Sequence, residues 1–339
     1  MIKKFCLLIT TLIWHITLPG EKIIGLVQVK NESDIIEYAL RALALHTDAI
    51  IVLDDASEDD TVKIIQKFAP ELNIIEIIHN LTSEWVEGTE AANKQKLLDA
   101  GRKHGGTHFV AIDADEIFTT DCADHGWLRN KLLALKKGQI LQIPLINLWK
   151  SFEDYRSPFD DNFPNICYCT IGYCDDGISS IYYNLKTSYA GFLHIGRFPH
   201  VSPTENYPLF VYESDLNHSL IHLPFVNWDN VILKKVWIMM LEIIRLKEGL
   251  YNKEMFPQGR SVQDIESFYN TYHNYETNSI LTPTPASWLS YPFFKKEPFL
   301  QRFSTSKLHD IKQWITIYGL YYFTESSYIY ENISYLLQV

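Results

Sequence analysis

Residues 108–116 read HFVAIDADE, an apolar run that ends abruptly in acids. A run this short, with glycines before it and charges after it, is typical of a strand buried on both faces of a parallel sheet. Helix capping does not account for the three acids Asp113, Asp115 and Glu116 within four positions. The stretch therefore predicts a central strand with a polar site at its carboxyl end.

Outward from this strand, short β-rich runs alternate with helical stretches. The other predicted strands cover residues 22–29, 49–53, 73–78 and 139–146. Predicted helices begin after Ser33, at Ser57 and near residue 90, and a longer amphipathic helix covers 231–247. The alternation indicates crossover connections, so the predicted fold class is α/β, a mostly parallel sheet with flanking helices and an α+β C-terminal extension.

Composition excludes two classes of protein. The 339 residues are 47% hydrophobic and 21% charged, which excludes a disordered chain. The formal net charge of -11 argues against nucleic acid as a partner, because too few cations are present to neutralise phosphates. The cysteines are too few for a disulfide framework and are not spaced like a zinc site, so we interpret them as ordinary thiols: Cys6, Cys122, Cys167, Cys169 and Cys174.

Polar residues follow three of the predicted strands, where ligands bind in an open parallel sheet. They are Lys30, Asn31 and Glu32 after the first strand, Asp54 and Asp55 after the second, and Asp113 and Asp115 after the fourth. Adjacent carboxylates repel unless a cation is present, and Mg²⁺ and Mn²⁺ prefer such oxygens. The pattern predicts a divalent cation site. For Ser57, Asp59 and Asp60 we favour capping of the second helix.

In order and spacing, three segments resemble the successive motifs of family 2 glycosyltransferases of the GT-A fold: residues 29–32 (VKNE), 53–61 (LDDASEDDT) and 111–116 (AIDADE). The resemblance implies a nucleotide-sugar donor, with Asp54 or Asp55 reading the base and Asp113 near the ribose. It implies that Asp115 holds Mn²⁺ or Mg²⁺ on the diphosphate. Further donor-binding candidates are Lys30, Glu32 and Asn93, and Ala56 stands where the family usually has glycine.

The second half of the chain offers further candidates. His222 precedes a helix with Lys234, Lys235 and Arg245, which looks like the segment that completes the metal site in related transferases. The alternative is a histidine satisfied in the core or at the surface. His194 and Arg197 are weaker candidates for donor or acceptor contact. The first candidates for the catalytic base are Asp175 and Asp176, with Glu153, Asp154, Asp160 and Asp161 as competitors.

By this reading the chain has four segments. Residues 1–20 form a signal-like or anchor-like segment, 21–150 the nucleotide-sugar-binding GT-A half, 151–250 the acceptor-binding half that completes the metal site, and 251–339 an aromatic-rich extension. The apolar run at 5–18 is too short to span a membrane. A secretory signal, a surface anchor and a packed element stay open, as do a cytoplasmic and a membrane-peripheral location.

The resemblance implies metal-dependent, inverting transfer of a sugar to an acceptor hydroxyl of a glycan, lipid or protein. One alternative is a GT-A-like module that binds a nucleotide or glycan without turnover. The other is a haloacid dehalogenase-type phosphatase, whose nucleophile motif is also Asp-x-Asp after an apolar strand. The downstream Gly-Asp-x-x-x-Asp signature of that phosphatase is missing from the sequence.

Overall fold

The computed structural model describes most of the chain in separate stretches. They are residues 20–83, 89–156, 168–181, 197–199, 208–226, 228–249, 261–268, 281–296 and 305–336. The N-terminal apolar run, with residues 1–19, lies outside the described residues. Within these stretches, no helix combines the length and the apolarity needed to cross a membrane.

One sheet of nine strands organises the described chain, in the order β3-β2-β1-β4-β8-β6-β10-β5 with β9 beside β6. The strands are β1 Ile23–Val29, β2 Ala49–Asp54, β3 Ile74–His79, β4 His108–Asp113, β5 Glu116–Phe118, β6 Ile140–Asn147, β7 Asp154–Arg156, β8 Tyr168–Cys174, β9 Phe210–Tyr212, β10 Leu220–His222 and β11 Leu281–Pro283. Strands β7 and β11 form a separate pair. The first four strands are parallel, and β8 and β5 run antiparallel to their neighbours. The predicted α/β class is confirmed.

The described helices before β6 flank this sheet, and the C-terminal helices form a separate core. They are α1 Ile36–Ala44, α2 Thr61–Phe68, α3 Thr89–Lys103, α4 Trp127–Leu133, α5 Trp228–Lys247, α6 at residues 262–268, α7 Thr305–Tyr318 and α8 Ser327–Leu336. Because successive strand residues point to opposite faces, Ile23 and Val27 pack in one core with α1, α2 and α4. Ile24 and Leu26 pack on the other face with α3.

The C-terminal helices have a core of their own. Buried residues of α5, α6, α7 and α8 form one cluster, and Trp314, Tyr318 and Tyr322 pack against it. Tyr321, by contrast, is 75% exposed. Strands β8, β9 and β10 come from beyond residue 150 and still join the main sheet, so the second half of the chain helps to build the sheet that the first half begins.

Candidate active site

The carboxyl ends of β1, β2, β4, β6 and β10 meet at one edge of the sheet. Val29 pairs with Asp54 and Gln28 pairs with Asp113 across β1, and His222 pairs with Asn147 at the ends of β10 and β6. Asp115 follows in the turn between β4 and β5, and its carbonyl accepts the N–H of Leu223. The polar clusters of the sequence therefore converge at this edge, which we call the binding edge.

The loops after β1 and β2 are bonded to each other. Ser57 Oγ accepts the N–H of Asn31 at 2.9 Å, Thr61 Oγ1 accepts that of Glu32 at 2.8 Å, and Asp59 Oδ2 accepts that of Ser33 at 3.2 Å. These hydroxyls and carboxylates fix the two loops that border the binding edge.

The capping predictions for these loops are largely wrong. Ser57 Oγ accepts a hydrogen bond from the loop after β1 and does not cap α2. The N-cap residue of α2, Asp60, makes no side-chain cap bond within the described chain. Only Asp59 serves α2, by accepting the N–H of Thr61 at 2.9 Å. The sequence predicts that the first helix begins after Ser33, but α1 begins at Ile36 with Ile35 as its N-cap residue. For Ser57 the cross-loop partner Asn31 competes with the local cap, whereas the Asp60 carboxylate pairs with Lys63 of α2 at 2.6 Å.

Asp54 and Asp55 point to different partners because neighbouring strand residues face opposite sides. The Asp54 carboxylate accepts the N–H of Ser57 at 3.2 Å. The Asp55 carboxylate accepts hydrogen bonds from Asn80 at 2.6 Å, Ser83 at 2.8 Å and Asn93 at 3.4 Å. Only 6% of Asp55 and 1% of Asn93 is exposed, so Asn93 supports Asp55 from behind and does not reach the cleft by itself.

Backbone strain marks the loop after β2. Ala56 has a φ of 58°, in the left-handed region where a side chain costs about 1 to 2 kcal/mol. This is the position where the resemblance leads one to expect glycine. The loop keeps the left-handed turn even with a methyl group present, and the turn directs Asp55 toward Asn80 and Ser83.

Glu116, the last acid of the Asp-x-Asp-Glu run, is a buried partner of Arg197. Arg197 Nη2 lies 2.7 Å from both Glu116 oxygens and 2.9 Å from Asp113 Oδ2. Burial raises the pKa of the Glu116 carboxyl above its ordinary value, and Arg197 opposes that shift. Burial alone would lower the pKa of Arg197, but Asp113 and Glu116 hold it well above its ordinary value. Arg197, a weak candidate from sequence, therefore belongs to this edge.

Asp115 lies among basic side chains. Its Oδ2 is 3.5 Å from His222 Nε2 and 3.9 Å from Lys234 Nζ, and the carboxylate is 19% exposed. Arg197 pairs with Asp113 and Glu116, whereas His222 and Lys234 are basic side chains beside Asp115. The described residues contain no cluster of three or more His, Cys, Asp or Glu able to hold a metal ion.

Asp115 and His222 fit a divalent cation that takes its remaining ligands from substrate and water. Two ligands about 2.1 Å from a cation are separated by about 3.0 Å at a right angle and about 3.4 Å at a tetrahedral angle. The observed 3.5 Å between Asp115 Oδ2 and His222 Nε2 is close to that range. Magnesium is typically held by one or two carboxylates and by substrate phosphates, and imidazole suits first-row metals.

Asp175 and Asp176 lie at the opposite edge of the sheet. Since β8 is antiparallel to β4, Cys174 pairs with His108 at the start of β4 and not with its carboxyl end. Arg102 binds the Asp175 carboxylate at 2.7 and 2.9 Å, and Asp176 accepts the N–H of Ser179 at 2.8 Å. This position, about 17 Å along the strand from Asp113, corrects the prediction and removes both as candidates for the base.

The remaining candidates are less informative. Lys30 and Glu32 follow β1 beside the binding edge and are half-buried. Glu153 pairs with Lys296 at 3.2 Å, away from the acids of β4. His194, Asp160 and Asp161 lie outside the described residues, as do Cys6 and Cys167. The other cysteines, Cys122, Cys169 and Cys174, form no disulfide among the described residues.

Comparison with known proteins gives one family. Residues 26–125 match the model of glycosyl transferase family 2. No curated protein matches the sequence.

Several solved structures are similar at low identity. S. aureus TarS 1–349 in complex with UDP is 17% identical over 76% of this chain and 73% of that chain, with a TM-score of 0.38. In the complex with UDP-GlcNAc, this chain spans 35% of the TarS chain. Mannosyltransferase PcManGT from Pyrobaculum calidifontis, with GDP-Man and Mn²⁺, is 12% identical over 93% and 85% of the two chains, with a TM-score of 0.35.

A third is glucosyl-3-phosphoglycerate synthase from Mycobacterium tuberculosis, in complex with Mn²⁺, UDP and glucosyl-3-phosphoglycerate. It is 20% identical over 38% of this chain and 45% of that chain, with a TM-score of 0.26. Likeness at these TM-scores does not identify a ligand of this chain.

Proposed function

We propose that this chain transfers a sugar from a nucleotide-sugar donor to an acceptor hydroxyl, with a divalent cation and inversion at the anomeric carbon. The match of residues 26–125 to the glycosyl transferase family 2 model supports the proposal. One observation carries the proposal. At the binding edge, His222 Nε2 lies 3.5 Å and Lys234 Nζ 3.9 Å from Asp115 Oδ2. The family match favours this reaction over the phosphatase alternative, for which the described residues offer no support.

The chemistry requires that the charge on the leaving nucleoside diphosphate be neutralised. Asp115 and His222 would hold Mn²⁺ or Mg²⁺, which when bound supplies a Lewis acid for the diphosphate. Lys234, on α5, contributes a second positive charge beside the same carboxylate. These three side chains come from the β4–β5 turn, β10 and α5, so the site depends on both halves of the chain.

The donor's nucleoside would lie along the ends of β1, β2 and β4. Asp55 is held by Asn80, Ser83 and Asn93, which fixes a carboxylate that can accept an N–H of the base. The Asp113 side chain is half exposed, while its Oδ2 is held by Arg197. That leaves Asp113 as an acceptor for a ribose hydroxyl and disfavours it as a second metal ligand.

The test is release of nucleoside diphosphate from a panel of UDP- and GDP-sugars, with and without Mn²⁺. We expect at least one donor to be hydrolysed slowly without an acceptor, and only with the cation present. Asp115→Asn should abolish this release. Asp99→Asn is the matched control, because Asp99 is an exposed carboxylate of α3 that pairs with Arg102 at 3.8 Å. Release that is equal in Asp115→Asn and Asp99→Asn would overturn the proposal.

A further inference from the structure

Asn147 and His222 form a side-chain pair at the end of two adjacent parallel strands. The two residues are register partners in β6 and β10. His222 Nδ1 lies 2.9 Å from Asn147 Oδ1, which is an ordinary hydrogen-bond length. The sequence offers no local signal for this contact, because the two residues are 75 positions apart.

This contact decides which ring nitrogen of His222 carries the proton. An amide oxygen only accepts, so His222 Nδ1 must donate its N–H to Asn147. A neutral imidazole has one N–H, and His222 Nε2 is then left with a lone pair. That nitrogen is the one that faces Asp115 Oδ2, at 3.5 Å.

Asp115 competes with Asn147 for the single ring proton. With Nε2 protonated, His222 would donate to the Asp115 carboxylate, and Nε2 would then have no lone pair to offer a cation. The separation of 3.5 Å to Asp115 against 2.9 Å to Asn147 favours the Nδ1–H form. The ring of Phe225 lies edge-on at 5.2 Å and limits rotation of the imidazole.

We infer that Asn147 is a positioning residue, which holds His222 in the Nδ1–H tautomer and keeps Nε2 free and directed at Asp115. The role given to Nε2, binding of a cation, rests on the proposed function. The tautomer of His222 does not, because it depends only on contacts within the chain. Groups that bind the second nitrogen of a metal-ligating histidine typically change metal affinity by about 10- to 100-fold when removed.

The first measurement is the tautomer of His222 in the protein without metal or nucleotide, near pH 8. Nitrogen-15 shifts of labelled histidine report it, and the variant His222→Gln identifies its signal among the twelve histidines. We expect Nδ1–H in the wild-type chain. Asn147→Leu, which removes the acceptor at similar volume, should shift the population to Nε2–H, while Asn147→Asp, which keeps an acceptor oxygen, should retain Nδ1–H.

The second measurement is Mn²⁺ affinity in the presence of UDP, by electron paramagnetic resonance of the free ion. Asn147→Leu should lose about 10- to 100-fold, and Asn147→Asp should restore most of it. The matched control is Gln142→Leu. Gln142 is an amide side chain of the same strand, and it donates to Thr170 Oγ1 at 3.0 Å, at a position away from the binding edge. Gln142→Leu should bind Mn²⁺ like the wild-type chain.

The two measurements separate this inference from the proposed function. An Nε2–H tautomer in the wild-type chain, an unchanged tautomer in Asn147→Leu, or equal Mn²⁺ affinity in Asn147→Leu and Gln142→Leu would each overturn the role of Asn147. A wild-type chain that holds His222 as Nδ1–H but binds no Mn²⁺ with UDP or GDP would overturn the metal-dependent function. It would also remove the purpose assigned to Asn147.

Discussion

The buried ion pair between Arg197 and Glu116 makes a quantitative prediction for the variant Arg197→Met. Arg197 Nη2 lies 2.7 Å from both Glu116 oxygens, and Glu116 is 2% exposed. Removing one partner of such a pair leaves an uncompensated charge, at a cost of about 3 to 5 kcal/mol. The Asp113 side chain is 50% exposed, so water replaces its lost contact. We expect the free energy of unfolding to fall by about 3 kcal/mol near pH 8.

The size of this loss should depend on pH. Burial raises the pKa of Glu116 in the folded chain, and Arg197 lowers it again. Without Arg197 the pKa of Glu116 rises further, so the folded variant keeps a proton on Glu116 at pH values above about 4.3, where an unfolded glutamate has lost it. The free energy of unfolding of the variant therefore falls as the pH rises. The difference between Arg197→Met and the wild-type chain should shrink as the pH falls toward about 4.3.

Urea unfolding followed by tryptophan fluorescence measures the effect. With a slope of about 3 kcal/mol per molar urea, the midpoint should move by about 1 M. The double variant Glu116→Gln/Arg197→Met should recover more than half of the loss, because the buried charge is gone. An equal loss near pH 8 and near pH 5.5, or a double variant no more stable than Arg197→Met, would refute this reasoning.

Two further predictions concern groups away from the cation. Burial and the charge of Arg129 lower the pKa of His46 in the folded chain to about 3. Below about pH 6.5, the ordinary pKa of histidine, the unfolded chain binds a proton at His46 and the folded chain does not. The free energy of unfolding should therefore fall by about 2 kcal/mol between pH 6.5 and pH 5. In urea titrations at both pH values, His46→Leu should lack most of that fall. A variant whose free energy of unfolding falls as much as that of the wild-type chain would contradict the prediction. Asp175→Asn should weaken the bidentate bond from Arg102 and lower the free energy of unfolding by about 1 to 3 kcal/mol in the same assay. The KM for the donor should stay within about twofold, because Asp175 lies at the edge of the sheet opposite the binding edge. A tenfold loss of donor affinity would instead place Asp175 in the site.

The sequence predicted the parallel core because its strands are buried on both faces and carry continuous apolar runs. Such runs, followed by acids, place the carboxyl ends without any knowledge of the tertiary structure. Asp55, Asp113 and Asp115 therefore converge as expected, and His222 joins them at the end of β10.

What the sequence could not supply was the direction of a later strand and the long-range partners. β8 runs antiparallel to β4, which sends Asp175 and Asp176 to the far edge, and no local pattern distinguishes the two directions. Glu116 and Arg197 are 81 positions apart, so their pairing left no periodic signal. Ser57 resembles a helix cap by local pattern, but its tertiary partner is Asn31.

The most direct test of the central claim is whether nucleoside diphosphate and Mn²⁺ bind to this edge together, through Asp115 and His222. Calorimetric titration of UDP and GDP, each with and without Mn²⁺, should show cation-enhanced binding of one of them to the wild-type chain. Asp115→Asn should lose the enhancement, and His222→Ala should lose most of it, while the fold is retained. Binding that is equally tight without the cation, or an enhancement that survives in Asp115→Asn, would contradict the account.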